Sequence, residues 1–192
     1  MVVEHWFDFV CPYCYVAQDR NRILRASGIE VVEHGLQIHP EIPPGGTPAG
    51  PRVGPSYDFL ARQAGEAGLA LNWSDRMPHT RPALAAFEWL NRTDPVVAER
   101  FATAVFTAYF ADGLDIESVE LLSTLAEAAG GDPAGLRAAL ADGSAFDLLT
   151  RSERRAAEYG VVSTPTWVVV GQVVSGLRPR RWFEDLTRVL AA

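Results

Sequence analysis

No lysine occurs in this chain of 192 residues; all 17 of its basic residues are arginine. That absence excludes a lysine Schiff base as the seat of any chemistry. With the abundant Ala and Gly, it reads as a compositional bias of the genome. Cysteine is scarce too: only Cys11 and Cys14 are present. Two cysteines three positions apart cannot form a disulfide scaffold, and in a reducing compartment such a pair points to catalysis or metal binding. No apolar run approaches the ~20 residues that span a bilayer. A formal charge of −7 and a pI near 5.1 argue against nucleic acid or an anionic membrane surface as the main partner. Met1-Val2-Val3-Glu4-His5 has neither the basic start nor the long apolar stretch of a secretory leader, so the expected compartment is the cytoplasm.

What is present divides the chain into three. Val2 to Val10 reads as a strand, Tyr13 to Ala26 as a helix closed by Gly28, and Ile29 to Ile38 as a second strand. Pro12 suits the first helical position, where a missing N–H costs nothing. Pro40 to Pro55 holds six Pro and four Gly and is a linker or surface loop. From Ser56 to Gly160 the signals are nearly all helical. Ser56 is a candidate cap for a helix to about Leu69, and further helices are expected from Thr80-Pro82, Asp94-Pro95, Asp115, Asp132-Pro133 and Ser144. The end turns to strands again, Thr166 to Val170 and Val173 to Ser175, before a terminal helix from Arg178 or Pro179. The order is β-α-β, a helical block, then β-β-α, an α/β chain whose helical stripes are core packing.

The chemistry gathers at Cys11-Pro12-Tyr13-Cys14. Helical positions i and i+3 have Cβ atoms about 5–6 Å apart, and a disulfide wants them near ~3.5–4.5 Å. A small adjustment of the first turn therefore makes or releases the bond. Cys11 lies at the helix N-terminus, where free N–H groups favour an anion, and thiols at such sites have pKa values of about 3.5 to 7.5. Cys14, a turn further in, lies nearer the core. These positions cast Cys11 as the attacking sulfur and Cys14 as the resolving one. Zinc would need further ligands, and His5, His34, His39 and His79 show no ligand-like spacing with the pair, so no metal is expected. An inert pair of core cysteines is the plain alternative.

The sequence resembles the thioredoxin superfamily, in its DsbA-like branch and most closely the FrnE-like proteins. The resemblance lies in Asp8-Phe9-Val10-Cys11-Pro12-Tyr13-Cys14-Tyr15, Thr80-Arg81-Pro82-Ala83-Leu84 and Gly160-Val161-Val162-Ser163-Thr164-Pro165-Thr166-Trp167, and in the element order over nearly the whole chain. It implies a thioredoxin-like domain over 1–54 and 152–192, with an all-helical insertion over 55–151. It implies a cis Pro165 against Cys11, and a main chain at Thr164 that pairs with an extended substrate segment. Pro12, Tyr13, Thr164 and Pro165 are thus candidate substrate-binding residues around the catalytic Cys11 and Cys14. The implied partners are a disulfide-bearing peptide, protein or small molecule and a thiol donor such as glutathione, with no other cofactor. Two departures from the family bear on the redox potential, which both dipeptides tune: relatives often carry Trp where Tyr13 stands, and many carry an apolar residue where Thr164 stands.

Two other functions fit the same fold. Kappa-class glutathione transferases and hydroxychromene-carboxylate isomerases have Ser-Pro-Tyr-Ser-like turns at this place, a chemistry that needs only a hydroxyl. A redox-responsive binding module, with Pro40 to Pro55 as its adaptable edge, is the non-enzymatic reading. Asp8, Glu4 and His5 are candidates to assist proton transfer to Cys14, against the plainer reading of strand-end charge and helix-entry bonding. His79 is a candidate to line the groove.

Overall fold

The computed structural model describes residues 1–190. Its elements are β1 (Val2–Phe7), α1 (Pro12–Ala26), β2 (Glu30–Gly35), β3 (Thr47–Pro48), α2 (Pro55–Glu66), β4 (Arg76–Met77), α3 (Arg81–Thr93), α4 (Pro95–Phe110), α5 (Val119–Ala129), α6 (Pro133–Asp142), α7 (Ser144–Glu158), β5 (Thr166–Val169), β6 (Gln172–Ser175) and α8 (Arg180–Leu190). Four strands form the central sheet in the order β2-β1-β5-β6. β1 runs parallel to β2 and antiparallel to β5, and β5 is antiparallel to β6. The chain is a mixed α/β thioredoxin-like fold with a helical insertion between β2 and β5.

Both faces of the sheet are covered, and β1 buries apolar side chains on each of them, Val3 and Phe7 on one and Trp6 on the other. Val3 packs with Ala17, Leu24, Trp167 and Phe183 on the α1–α8 face. Trp6 packs with Ala156, Val161 and Val168 under α7. The largest core joins the redox turn to the insertion, since Phe7, Phe9, Cys11, Cys14 and Tyr15 belong to one cluster with Leu84, Phe87, Phe101, Phe106 and Leu149. α7 runs unbroken through residues 151 and 152, where the boundary between the two expected parts falls.

The edge of β2 is closed by side chains. The carbonyls of Val31, Glu33 and Gly35 accept from Arg25 (3.4 Å), Asn91 (3.0 Å) and Ser152 (2.8 Å), and the Gly35 N–H donates to Glu88 (2.6 Å). An edge so occupied offers little to a foreign strand. A Cβ at Gly35 would crowd Leu149 at 3.2 Å and Leu84 at 3.3 Å, where α7 and α3 reach the strand.

Local rules set most helix starts. Asp94 caps α4 through the Val96 and Val97 amides, and Asp132 caps α6 through those of Ala134 and Gly135. Two starts differ from expectation. Gly54, at φ 105°, precedes α2 and Ser56 does not cap it. α5 begins at Val119, capped by Ser118, because the Asp115 carboxylate binds the Glu117 amide in a turn instead. The Pro/Gly-rich stretch is a loop, apart from the two residues of β3 that pair with β4.

Candidate active site

β1 delivers the chain to a turn at residues 8–11, and α1 begins with Pro12 in its first turn. Cys11 is the residue before that helix, with φ −82° and ψ 111°, and its side chain makes no capping bond. Its sulfur therefore sits where α1 presents unpaired amides. Both cysteines are free thiols; Cys11 keeps 5% of its surface exposed and Cys14 none.

The far end of the chain reaches the same place. Trp6 pairs with Thr166 across β1 and β5, which sets residues 164 and 165 beside the turn that follows β1. The Thr164–Pro165 peptide is cis. The Cys11 thiol donates to the Thr164 carbonyl at 3.5 Å, although 153 residues separate them. Tyr13 is half-buried and packs against the clusters of α2 and the insertion, with Leu69, Leu71 and Trp73 in the same layer.

The two sulfurs are electrostatically unequal. Burial pushes the Cys11 thiol up, and the Asp8 charge adds to this. Hydrogen bonding from the Cys14 side chain, Thr164 and the Cys14 amide outweighs both and leaves Cys11 below the ordinary thiol value. Burial also pushes Cys14 up, and the neighbouring Cys11 sulfur pushes it further, well above the ordinary value. The Thr164 hydroxyl favours negative charge on both sulfurs, yet it is buried and completes no hydrogen bond of good geometry.

Asp8 is fully buried under the turn, with one carboxylate oxygen on the Val10 amide (3.3 Å) and the other on the Ile38 amide (2.8 Å). Burial raises its pKa despite these donors and the Thr80 hydroxyl. Glu4 and His5 are neither solvent-facing nor bonded to the sulfurs. Glu4 accepts a fork from Arg155 (2.8 and 2.6 Å) and a bond from Tyr159 (3.1 Å). His5 is 2% exposed, stacks on Trp167 and joins Asn21 (2.9 Å) and Glu33 (3.1 Å). His79 fastens the long loop through the Ile42 carbonyl (2.7 Å).

Asn21 escaped the sequence reading, and Arg20 entered it only as a member of the helical stripe with Val16, Ile23 and Leu24. The Asn21 side-chain oxygen accepts from the Trp167 indole at 2.8 Å, tying the strand after Pro165 to the cysteine helix. Arg20 is fully buried, bonds Asp19 (2.6 Å), the Arg178 carbonyl (3.3 Å) and Gln63, and so holds α2 and the approach to α8 on α1. The signal in the sequence is a polar residue, Arg20, in line with Val16, Ile23 and Leu24; Asn21 beside it has none. A cavity of about 390 Å³ lies elsewhere, between β2 and α4, lined by Arg25, Glu33, Asn91 and Glu99 among others. No group of three or more His, Cys, Asp or Glu able to hold a metal occurs among the described residues.

A thioredoxin-like sheet, a cysteine pair opening α1 and a proline-led strand beside it define the class: a thioredoxin-fold protein of the thiol–disulfide type. The DSBA-like thioredoxin domain family matches residues 2–186, and the chain belongs to that family. A probable DsbA oxidoreductase from Streptomyces coelicolor is 29% identical with a TM-score of 0.85, over 100% of this chain and 90% of that one. A 2-hydroxychromene-2-carboxylate isomerase gives 19% identity and a TM-score of 0.79, over 100% and 96% of the two chains. The cytosolic disulfide reductase DsbM of Pseudomonas aeruginosa, solved with GSH, gives 17% and 0.69, over 100% and 98%. No helix among the described residues is long and apolar enough to cross a membrane.

Proposed function

We propose that this protein exchanges disulfides through a mixed disulfide on Cys11. The Cys11 thiolate attacks one sulfur of a substrate disulfide and expels the other as a thiolate. Cys14 then loses its proton and attacks Cys11, which releases the second substrate sulfur and leaves the Cys11–Cys14 disulfide. A thiol such as glutathione resets the pair; the structural likeness to DsbM with bound GSH supports that choice of donor. In a cytoplasmic setting, where the glutathione poise is about −220 to −320 mV, reduction or isomerisation is favoured over net oxidation.

The observation that carries this reading is the 3.5 Å approach of the Cys11 sulfur to the Thr164 carbonyl. It puts an electron-rich main-chain edge beside the more acidic and more exposed of the two sulfurs. An extended substrate would pair with that edge while its own sulfur meets Cys11. Pro12, Tyr13 and Pro165 would frame the approach. A glutathione-dependent isomerase has no use for a second thiol at position 14, so the pair favours exchange. The test is insulin reduction by dithiothreitol, followed by turbidity, with a Cys11→Ser control. Acceleration by the wild type alone is expected; equal rates for both proteins would refute the proposal.

A further inference from the structure

α3 and α7 pack on each other and on β2, the strand at the edge of the sheet. Two cavities open along the cleft between the helices. The first, of about 270 Å³, reaches the strand at His34 and borders the buried Glu88 and Ser152. The second, of about 340 Å³, borders Trp89, Ser144 and Asp147. Arg92 of α3 and Arg151 of α7 line both cavities, as does Leu148, so the two spaces meet at the arginines.

Neither guanidinium is neutralised. Ion pairs and hydrogen bonds among the described residues hold Arg81 on Glu153 and Arg155 on Glu4, and none reaches Arg92 or Arg151. The acids of the cleft do not compensate them. Glu88 is buried and turned to the Gly35 amide at 2.6 Å. Asp147, one turn before Arg151, forms no ion pair with either arginine. His34 is neutral near pH 7, because burial lowers its pKa to about 4. In a chain with 24 acidic residues against 17 arginines, such a pair departs from the prevailing balance. Two like charges bordering one cleft oppose each other until an anion joins them. Both arginines are exposed, so that anion has access from solvent.

We propose that the cleft between α3 and α7 binds an organic phosphate, with the phosphate group bridging Arg92 and Arg151. The planar fork of each guanidinium matches the oxygens of a phosphate in a bidentate way. A phosphate dianion answers both arginines, where a single carboxylate would leave half of the positive charge unmet. The body of the molecule lies in the second cavity, its apolar face on Trp89 and Leu148 and a hydroxyl donating to Asp147. That cavity falls within the roughly 300–1,000 Å³ of sites for small organic ligands. None of the residues that line the cleft belongs to the redox turn or to the loop before β5. The inference therefore goes beyond disulfide exchange and does not rest on it.

Isothermal titration calorimetry of the full chain tests it, with AMP and inorganic phosphate as probes, for the wild type, Arg92→Gln, Arg151→Gln and Arg62→Gln. Arg62 is exposed on α2, outside the cleft. AMP should bind the wild type and Arg62→Gln with equal, submillimolar affinity. Each cleft variant should bind it about tenfold more weakly. Inorganic phosphate should bind the wild type more weakly than AMP, since it leaves Trp89 and Leu148 uncovered. Should a variant fail to fold, phenylglyoxal modification of the wild type, mapped by peptide mass, reads the same contacts. Saturating AMP is expected to shield Arg92 and Arg151 and to leave Arg62 reactive. No AMP binding at millimolar concentration, an affinity unchanged in both cleft variants, or no shielding of either arginine would overturn the inference. So would phosphate binding that AMP fails to exceed, because the second cavity would then hold nothing.

Discussion

The Cys11 thiol and the Thr164 carbonyl meet at 3.5 Å, joining residues 153 apart into one site. The sheet order makes this meeting possible. β1 and β5 are neighbours, and the pairing of Trp6 with Thr166 brings the turn after β1 and the loop before β5 to the same end. The helical insertion can therefore be long without moving the two halves of the site apart.

The Thr164 hydroxyl is buried without a good partner and favours negative charge on both sulfurs. Replacing Thr164 with the isosteric Val should raise the Cys11 pKa, seen as an alkaline shift in the pH profile of Cys11 alkylation. It should also stabilise the fold by about 1 kcal/mol, because an unsatisfied buried group is removed. An unchanged alkylation profile would show that the hydroxyl has no part in the thiol chemistry.

Asn21 serves Trp167, His5 and Glu33 together, with contacts of 2.8, 2.9 and 2.9 Å. Asn21→Leu leaves three buried polar groups short of a partner and should cost roughly 2–4 kcal/mol in urea unfolding. A cost below about 0.5 kcal/mol would mean that the network is already satisfied without it.

The redox turn and most helix starts were legible because their causes are local. Pro12 and the dipeptides Asp94-Pro95 and Asp132-Pro133 fix their own helical first turns. The Asn21 network was not legible, since a polar residue in a helix looks solvent-facing until the strand that meets it is known. Glu4 and His5 were hidden for the same reason: their partners Arg155, Tyr159, Asn21 and Glu33 come from α7, the residue that ends it, α1 and β2. Asp8 was marked as a candidate by its place before Cys11, but its bonds to Ile38 and Thr80 depend on tertiary packing.

Glu88 gives the stability a pH signature. Burial raises its pKa to about 7, against the Gly35 and Ser152 hydrogen bonds that lower it. A carboxyl raised in the fold contributes stability that is full below its unfolded value of about 4.5 and is lost as pH rises through about 7. Glu88→Gln should match the wild type near pH 4.5 and exceed it by about 2–3 kcal/mol at pH 8. Unfolding at a series of pH values checks this, and a constant difference across the range would contradict it.

Val170 is exposed and has φ 49°, a left-handed conformation that a β-branched residue adopts at a cost, at the tip of the β5–β6 hairpin. Val170→Asn should raise the unfolding free energy by about 1 kcal/mol, since Asn followed by Gly171 suits such a turn. Thermal unfolding would show this as an upward shift of a few degrees; a downward shift would mean that Val170 packs usefully.

The most direct measurement is intact-mass analysis of the reduced protein mixed with oxidised glutathione, for the wild type and for Cys14→Ser. The variant should accumulate a single glutathione adduct, mapped to Cys11, while the wild type resolves to the internal disulfide without a lasting adduct. An adduct on Cys14 in Cys11→Ser that forms as fast as the one on Cys11, or no adduct on Cys11 at all, would contradict the assignment of the attacking sulfur to residue 11.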